Sequence, residues 1–136
     1  MKTPTQSPPP RQRVFSAAEG TPPGCLRIAV HDTRQGAVIT LKGYLDLSTT
    51  PTLDAACTEV LDFSRDRRVA ADLALLSFCD GTGVSTLLRF HRRALNGDGW
   101  LRLCAAGPAL RKVLRITDPA KRLRCYPTPA DAFTDV

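Results

Sequence analysis

Residues 71–84, ADLALLSFCDGTGV, predict the fold of this chain more directly than any other stretch. An apolar run typical of a buried strand stops at Asp80-Gly81-Thr82-Gly83, and an apolar spacing typical of a helix follows at once. At such a junction the backbone N–H groups and the positive end of the helix dipole point at whatever lies on the turn. The segment therefore predicts a strand, a polar turn and a helix in direct succession.

Two more strands are predicted upstream of this segment. Apolar residues alternate with polar or small ones, as in a half-buried strand, at Leu26, Ile28 and Val30. Residues 33–36 have the composition of a hairpin turn, and residues 37–43 form the return strand. Residues 69–73 predict a short buried strand that enters the central segment.

Three helices are predicted from apolar residues spaced three and four apart. Before the first, Thr50 is placed to cap and Pro51 to take the first helical position. Its apolar face consists of Leu53, Ala56, Cys57, Val60 and Leu61. The second runs from about Thr82 to Leu95, and its apolar face consists of Val84, Leu87, Leu88, His91 and Leu95. The third begins at Pro108 and continues through Leu110, Val113, Leu114 and Ile116.

Strands at residues 100–105 and 122–126 and a last helical turn at 129–133 complete the order β-β-α-β-α-β-α-β-α. This order predicts an α/β fold, a mixed β-sheet of about five strands with about four helices packed on it. Residues 25–136 are expected to form this single domain, because 136 residues are too few for two. Residues 1–24 hold six of the eleven prolines and few large apolar side chains, so a disordered tail is expected there.

Composition excludes several classes of protein. Hydrophobic residues make up 43% and charged residues 24% of the chain, as in ordinary globular domains. No apolar run reaches the roughly 20 residues that a membrane-spanning helix needs, and no signal peptide is visible. A cytoplasmic protein without membrane insertion is therefore expected.

The five cysteines are widely spaced, and their odd number and lack of a Cys-x-x-Cys pair argue against a disulfide framework or a zinc site. They are expected as small buried side chains. No catalytic motif is present; His31 lies at the end of a predicted strand, and His91 lies mid-helix with no acidic residue at helical spacing. The sequence therefore predicts no enzyme, no cofactor and no metal.

Positive charge is concentrated in residues 86–124, which contain ten basic residues and only two acidic ones. The simplest interpretation is a solvated arginine-rich face, and the alternatives are an acidic partner, an anionic lipid surface or a nucleic acid. Nucleic-acid binding is not expected, because the aromatic platform or recognition helix that it needs is missing. The basic residues on the predicted second and third helices are Arg89, Arg92, Arg93, Arg111, Lys112 and Arg115.

The central segment resembles the signature of STAS domains, the family of anti-sigma factor antagonists and sulfate-transporter tails. In that family a strand leads to Asp-Ser-(Ser/Thr/Ala)-Gly, which opens a helix. A second landmark, Gly43-Tyr44-Leu45-Asp46, lies at the expected separation, and the order of elements matches over residues 25–134. The resemblance therefore implies the STAS fold for the whole domain.

The resemblance also implies a face that binds a partner protein. Its residues would be Asp46, Ser48, Thr49, Asp80, Gly81, Thr82, Gly83 and Val84. In the family, the residue directly after the Asp is a serine or threonine that a partner kinase phosphorylates, but here it is Gly81. Either this switch is absent, or Thr82 is the phospho-acceptor, with its hydroxyl turned by about 100° around the helix.

The function implied by the resemblance is that of an anti-sigma factor antagonist. Its partner would be an anti-sigma factor, a serine-protein kinase of histidine-kinase-like fold, and binding would release a sigma factor. Alternatives are a STAS subunit of a membrane lipid-transport ABC assembly and a scaffold of a stress-sensing complex. A purely structural role for the turn, with Asp80 as a helix cap, is also compatible with the sequence, and self-association as a homodimer stays open.

Overall fold

The computed structural model describes residues 12–16, 25–63 and 67–134, and within these ranges a mixed six-stranded sheet carries four helices. The strands are β1 (Gln12–Ser16), β2 (Leu26–Asp32), β3 (Ala37–Leu45), β4 (Arg68–Cys79), β5 (Trp100–Cys104) and β6 (Cys125–Tyr126). The helices are α1 (Thr50–Phe63), α2 (Gly81–Asn96), α3 (Pro108–Thr117) and α4 (Pro129–Thr134). The predicted α/β class and STAS-like order of elements are confirmed.

The strands lie in the sheet in their chain order, from β1 to β6. The first three are antiparallel neighbours, and β3 to β6 are parallel. Because parallel neighbours need crossover connections, α1, α2 and α3 join the successive strands of that half. The carboxyl ends of β3 and β4 consequently lie next to each other at one edge of the domain.

The main core lies between the sheet and helices α1, α2 and α3. The apolar face predicted for the first helix is buried there as expected, through Leu53, Ala56, Cys57, Val60 and Leu61. A smaller cluster of Ala70, Cys104 and Ala132 packs α4 against the sheet. Since Val69 and Ala71 belong to the main core, the alternation of side chains along β4 places α4 on the opposite face.

Helix α2 is rotated relative to the prediction. Its buried residues are Gly83, Val84, Thr86, Leu87, Phe90 and Ala94. Phe90 fills the core at 1% exposure, and Leu95, predicted as buried, is 53% exposed. Leu88 and His91 are only partly buried. A large aromatic ring gains more from burial than a leucine at the end of a helix, so Phe90 determines which side faces inward.

The third helix is confirmed as α3, but the predicted cap of the first helix is wrong. Leu110 and Leu114, four residues apart, turn α3 toward the core, and Ile116 is left 77% exposed. Thr50 is itself the first residue of α1, and its hydroxyl donates to the carbonyl of Leu47 (3.2 Å) instead of accepting from a helix N–H.

The sheet has six strands because residues 12–16, within the segment expected to be disordered, form β1. Arg13 lies between the carboxylates of Asp32 (2.7 Å) and Glu59 (2.5 Å), and Phe15 packs against the core. The rest of the expected tail, residues 1–11 and 17–24, lies outside the described residues. Strand β4 is also longer than the predicted 69–73, because it pairs with β3 as far as Cys79.

All five cysteines are free thiols, of which Cys57, Cys79 and Cys104 are buried as predicted. Burial raises the pKa of Cys57 to about 11 and the pKa of both Cys79 and Cys104 to about 12. Cys25 is only half-buried and Cys125 is exposed, contrary to the prediction. Within the described residues, no three His, Cys, Asp or Glu side chains cluster as metal ligands, and no helix is long and apolar enough to cross a membrane.

Candidate partner-binding site

The two sequence landmarks meet where β3 and β4 end. Leu45 and Cys79 are register partners in the sheet, so the loop after β3 and the turn after β4 begin side by side. The N–H of Asp80 donates to the carbonyl of Leu45 (3.4 Å), which connects the two segments directly. The site thus comprises residues 46–49 of the loop and the first turn of α2.

Asp80 is the N-cap of α2. Its Oδ1 accepts from the N–H of Gly83 (3.0 Å) and from the hydroxyl of Thr82 (2.6 Å). Burial alone would raise the pKa of Asp80, but these hydrogen bonds outweigh it and hold the pKa below its ordinary value. The carboxylate is therefore ionised at neutral pH and occupies the end of the helix where N–H groups would otherwise lack partners.

The two glycines of the turn differ in what they permit. A methyl group at position 83 would lie 2.7 Å from the sulfur of Cys79 and 2.9 Å from both Cγ and the carbonyl oxygen of Leu45. Only glycine lets α2 approach the strand ends so closely. At position 81 the added carbon would meet only Cγ2 of Thr117, at an ordinary 3.7 Å. Gly81 is therefore not required by packing.

The loop after β3 is stabilised by its own side chains. Oδ1 of Asp46 accepts from the N–H (3.0 Å) and the hydroxyl (2.7 Å) of Ser48. The hydroxyl of Thr49 donates to the carbonyl of Tyr44 (2.8 Å) and accepts from the N–H of Asp46 (3.0 Å). These bonds hold the loop in one conformation beside the first turn of α2.

The eight predicted site residues divide by exposure. Ser48 and Thr82 are exposed, and Asp46, Asp80 and Gly81 are half-buried. Thr49 and Val84 are completely buried, and Gly83 is buried as well. Buried residues offer no surface to a partner, so these three position the site from beneath.

Exposed apolar side chains in the loop after β3 and in the second half of β4 were missed by sequence reasoning. Leu47 is 73% exposed between Asp46 and Ser48. On β4, Leu75 and Phe78 are 54% and 47% exposed, and the Phe78 ring lies 6.2 Å from that of Tyr44. Their apolar run predicted burial, but β5 pairs with β4 only as far as Asp72, so the rest of β4 extends beyond it. Leu47 and the Tyr44–Phe78 pair thus add apolar surface near the ends of β3 and β4, and apolar surface of this kind is typical of interaction sites.

Two of the three arginines on α2 are used within the domain. Arg89 forms an ion pair with Asp54 of α1 (3.2 Å), and Arg93 donates to the hydroxyl of Thr58 (3.2 Å). His91 is likewise structural, since its Nδ1 accepts from the N–H of Leu101 (3.0 Å) and burial lowers its pKa. The chemistry of the site is therefore that of a contact surface with polar, acidic and apolar groups.

Comparison with known proteins agrees with this geometry. The STAS domain family model matches residues 27–132, most of the chain. An anti-sigma factor antagonist from Mycobacterium paratuberculosis has 28% identity and a TM-score of 0.73, over 84% of this chain and 96% of that one.

Two structures of SpoIIAA, described as an anti-sigma factor antagonist and as a Bacillus cell fate determinant, show the same fold. The unphosphorylated form has 24% identity and a TM-score of 0.65, over 77% of this chain and 91% of that one. The phosphorylated form has 24% identity and a TM-score of 0.60, over 77% and 95%. On the extent of the family match and the shared fold, the chain belongs to the STAS domain family.

Proposed function

We propose that this STAS domain is an anti-sigma factor antagonist that binds an anti-sigma factor of kinase-like fold and so releases a sigma factor. The similarity to the Mycobacterium paratuberculosis antagonist, over nearly the full length of that protein, supports this role. The observation that carries the proposal is the hydrogen-bonded surface where the loop after β3 adjoins the capped start of α2. It presents Ser48, Thr82 and the exposed Leu47 together.

The usual phosphorylation switch is absent at position 81 in this proposal. A serine would fit there, since only Thr117 lies near an added carbon, yet the chain has glycine. Thr82 is a poor substitute, because its hydroxyl already donates to Oδ1 of Asp80. A phosphate on Thr82 would place about two negative charges beside that carboxylate. The antagonist therefore stays competent to bind when ATP is present.

The switch is tested by incubating the protein with ATP and anti-sigma kinases of the same organism, followed by intact-mass analysis and a binding assay. We expect no phosphate on the natural chain and binding that ATP does not reverse. Gly81→Ser should gain one phosphate and lose binding, and Thr82→Ala should behave like the natural chain. A phosphate at Thr82 that weakens binding would overturn the proposed loss of the switch.

The surface is tested with two substitutions at equal exposure. Leu47 and Phe63 are both 73% exposed, but Leu47 precedes α1 and Phe63 is the last of its fourteen residues, which span about 20 Å. Leu47→Glu should weaken binding by at least about tenfold, as truncation of an interface anchor does, and Phe63→Glu should not. Equal effects, or capture of only a membrane-transport ATPase, would contradict the proposed role.

A further inference from the structure

A concave surface lies between α3 and the chain that leads into β6. The cavity has a volume of about 1110 Å³ and is bounded by Leu114 of α3, Pro119 and Leu123 of the following loop, and Tyr126 of β6. None of its lining residues belongs to the partner-binding site. Its size is that of a cleft that accommodates a small molecule.

Cationic side chains dominate the polar part of this cavity. Four of them line it: Arg111, Arg115, Lys121 and Arg124. Within the described residues, the side chains of Arg115 and Lys121 have no hydrogen bond or ion pair. In the guanidinium of Arg111, Nε donates a hydrogen bond to the carbonyl of Ala106 (3.1 Å), and the two terminal nitrogens remain as donors. Several donors are thus available to a ligand.

The only carboxylate among the lining residues accepts hydrogen bonds within its own loop. Asp118 is 3% exposed, and its Oδ1 accepts from the N–H (3.2 Å) and Nε (3.1 Å) of Arg122. Its Oδ2 accepts from the N–H of Leu123 (2.9 Å). Asp118 therefore serves as the internal anchor of the loop, and its charge is matched by Arg122, which does not line the cavity.

The same anchor holds Lys121 in an unusual conformation. Lys121 has a φ of 54°, in the left-handed region that side chains rarely adopt, and its N–H donates to the carbonyl of Asp118 (3.0 Å). Strained backbone of this kind persists where surrounding structure imposes it and is found at ligand-binding positions. Here it places a lysine on the wall of the cavity.

We infer that this cavity binds an oligophosphate, either the free inorganic anion or the phosphate chain of a small organic molecule. Arginine presents its N–H donors in a fork that matches phosphate oxygens, and lysine adds a point charge. Arg111, Arg115 and Lys121 together suit a ligand with several adjacent negative charges better than a single phosphate or sulfate. The apolar part of the wall leaves room for an organic group beside the phosphates.

The test is calorimetric titration of the full chain with tripolyphosphate, orthophosphate and sulfate at constant ionic strength. We expect tripolyphosphate to bind more tightly than either single anion. A further titration with adenosine or guanosine triphosphate distinguishes an inorganic oligophosphate from an organic ligand. Tighter binding of the nucleotide than of tripolyphosphate indicates that the organic group is also bound. Absence of tripolyphosphate binding at millimolar concentration would overturn the inference.

Two matched double variants distinguish binding in the cavity from general electrostatic attraction of the anion to a basic protein. Arg115→Gln with Lys121→Gly removes two lining cations, and glycine tolerates the left-handed conformation. Affinity should fall by about tenfold or more, as expected for lost charged hydrogen bonds. Arg92→Gln with Lys112→Gln removes the same charge from exposed positions outside the cavity and should change affinity less than about twofold, as expected for screened surface charges. Equal losses in both would overturn the inference.

Discussion

Gly81 and Gly83 lie in the same helical turn, but packing requires glycine only at position 83. The methyl group of Gly83→Ala would collide with Cys79 and with both side chain and backbone of Leu45. Overpacking of this kind costs about 1–3 kcal/mol of unfolding free energy. Urea unfolding of Gly83→Ala and of the natural chain measures this loss of unfolding free energy.

Gly81→Ala is the matched control for this prediction. Its added carbon meets only Thr117 at 3.7 Å, and alanine favours a helix over glycine by about 0.5–1 kcal/mol. Gly81→Ala should therefore leave stability unchanged or slightly raised. Equal destabilisation by both substitutions would show that the close contact of α2 with the strand ends is not what glycine provides at position 83.

The cap residue allows a second prediction at this scale. Asp80→Ala removes the acceptor for the Gly83 N–H and the Thr82 hydroxyl, and it should lower the unfolding free energy by about 0.5–2 kcal/mol. Asp80→Asn keeps a good capping side chain and should retain most of the stability. If both variants lost the same amount, the charge of Asp80 would matter more than its hydrogen bonds.

The cap and the glycine-rich turn could be recognised from sequence because their hydrogen bonds are local, within three residues. Exposure could not be predicted in the same way. Thr49 resembles a surface residue in sequence, yet it is buried with its hydroxyl bonded to Tyr44 and Asp46. Leu47, two residues earlier, is largely exposed. Both outcomes depend on how the loop after β3 meets α2, and a linear pattern does not contain that contact.

At the scale of elements, β1 shows where composition misleads. Its five residues lie in a proline-rich stretch whose composition predicts disorder. Its stabilising contacts are distant in sequence, since Arg13 contacts Asp32 of β2 and Glu59 of α1. These carboxylates raise the pKa of Arg13, and the largest contribution is the hydrogen bond that Arg13 donates to Asp32. A short strand that is stabilised by residues distant in sequence cannot be predicted from the composition of its own segment.

Arg13→Ala should loosen β1 and leave the rest of the sheet intact. Its guanidinium is 21% exposed, so the two ion pairs are partly shielded and their loss should cost about 1 kcal/mol. Hydrogen exchange of the β1 amides should accelerate by several-fold to about tenfold, while β3 and β4 keep their protection. Arg27→Ala, on an exposed position of β2, is the control and should leave β1 unchanged. Uniform acceleration across the sheet would contradict a local role.

Helix α2 illustrates the opposite situation, in which an element was predicted correctly but its orientation was not. The positions Leu87, Leu88, His91 and Leu95 form a plausible apolar stripe on sequence spacing alone. The structure chooses the stripe that contains Phe90 and Ala94 instead. The choice depends on the space between α1, α3 and β5, which is fixed by tertiary packing.

At the scale of the whole molecule, parallel pairing of β3 with β4 creates the candidate site, because it brings two segments more than thirty residues apart to one edge. The resemblance to the STAS family implied this adjacency, whereas no local pattern in either segment contains it. The same topology leaves α3 and the chain after it to form the separate basic cavity. Asp46 and Asp80 thus belong to the candidate site, whereas Arg111 and Arg115 line the cavity.

Stability of the whole domain should rise with pH in two separate windows. Burial lowers the pKa of His91 below its ordinary 6.5, so the folded state binds fewer protons than the unfolded state just below that pH. The contribution of neutral His91 to the free energy of unfolding is therefore fully present above about pH 6.5. It is lost as the pH drops through the lowered pKa of His91. Burial alone would raise the pKa of Asp118, but bonds from the Leu123 and Arg122 N–H groups lower it below 3.8.

Those hydrogen bonds stabilise the fold above pH 3.8, and their contribution is lost as the pH falls through the lowered pKa of Asp118. Denaturant midpoints measured from pH 3 to pH 8 test both windows. His91→Gln should remove the pH dependence of the midpoint in the upper window and leave that in the lower window. His31→Gln retains His91 and should preserve the pH dependence in both windows. Asp118→Asn should weaken only the lower window, at a general cost because a buried acceptor is lost. An upper window that persists in His91→Gln would show that another group controls it.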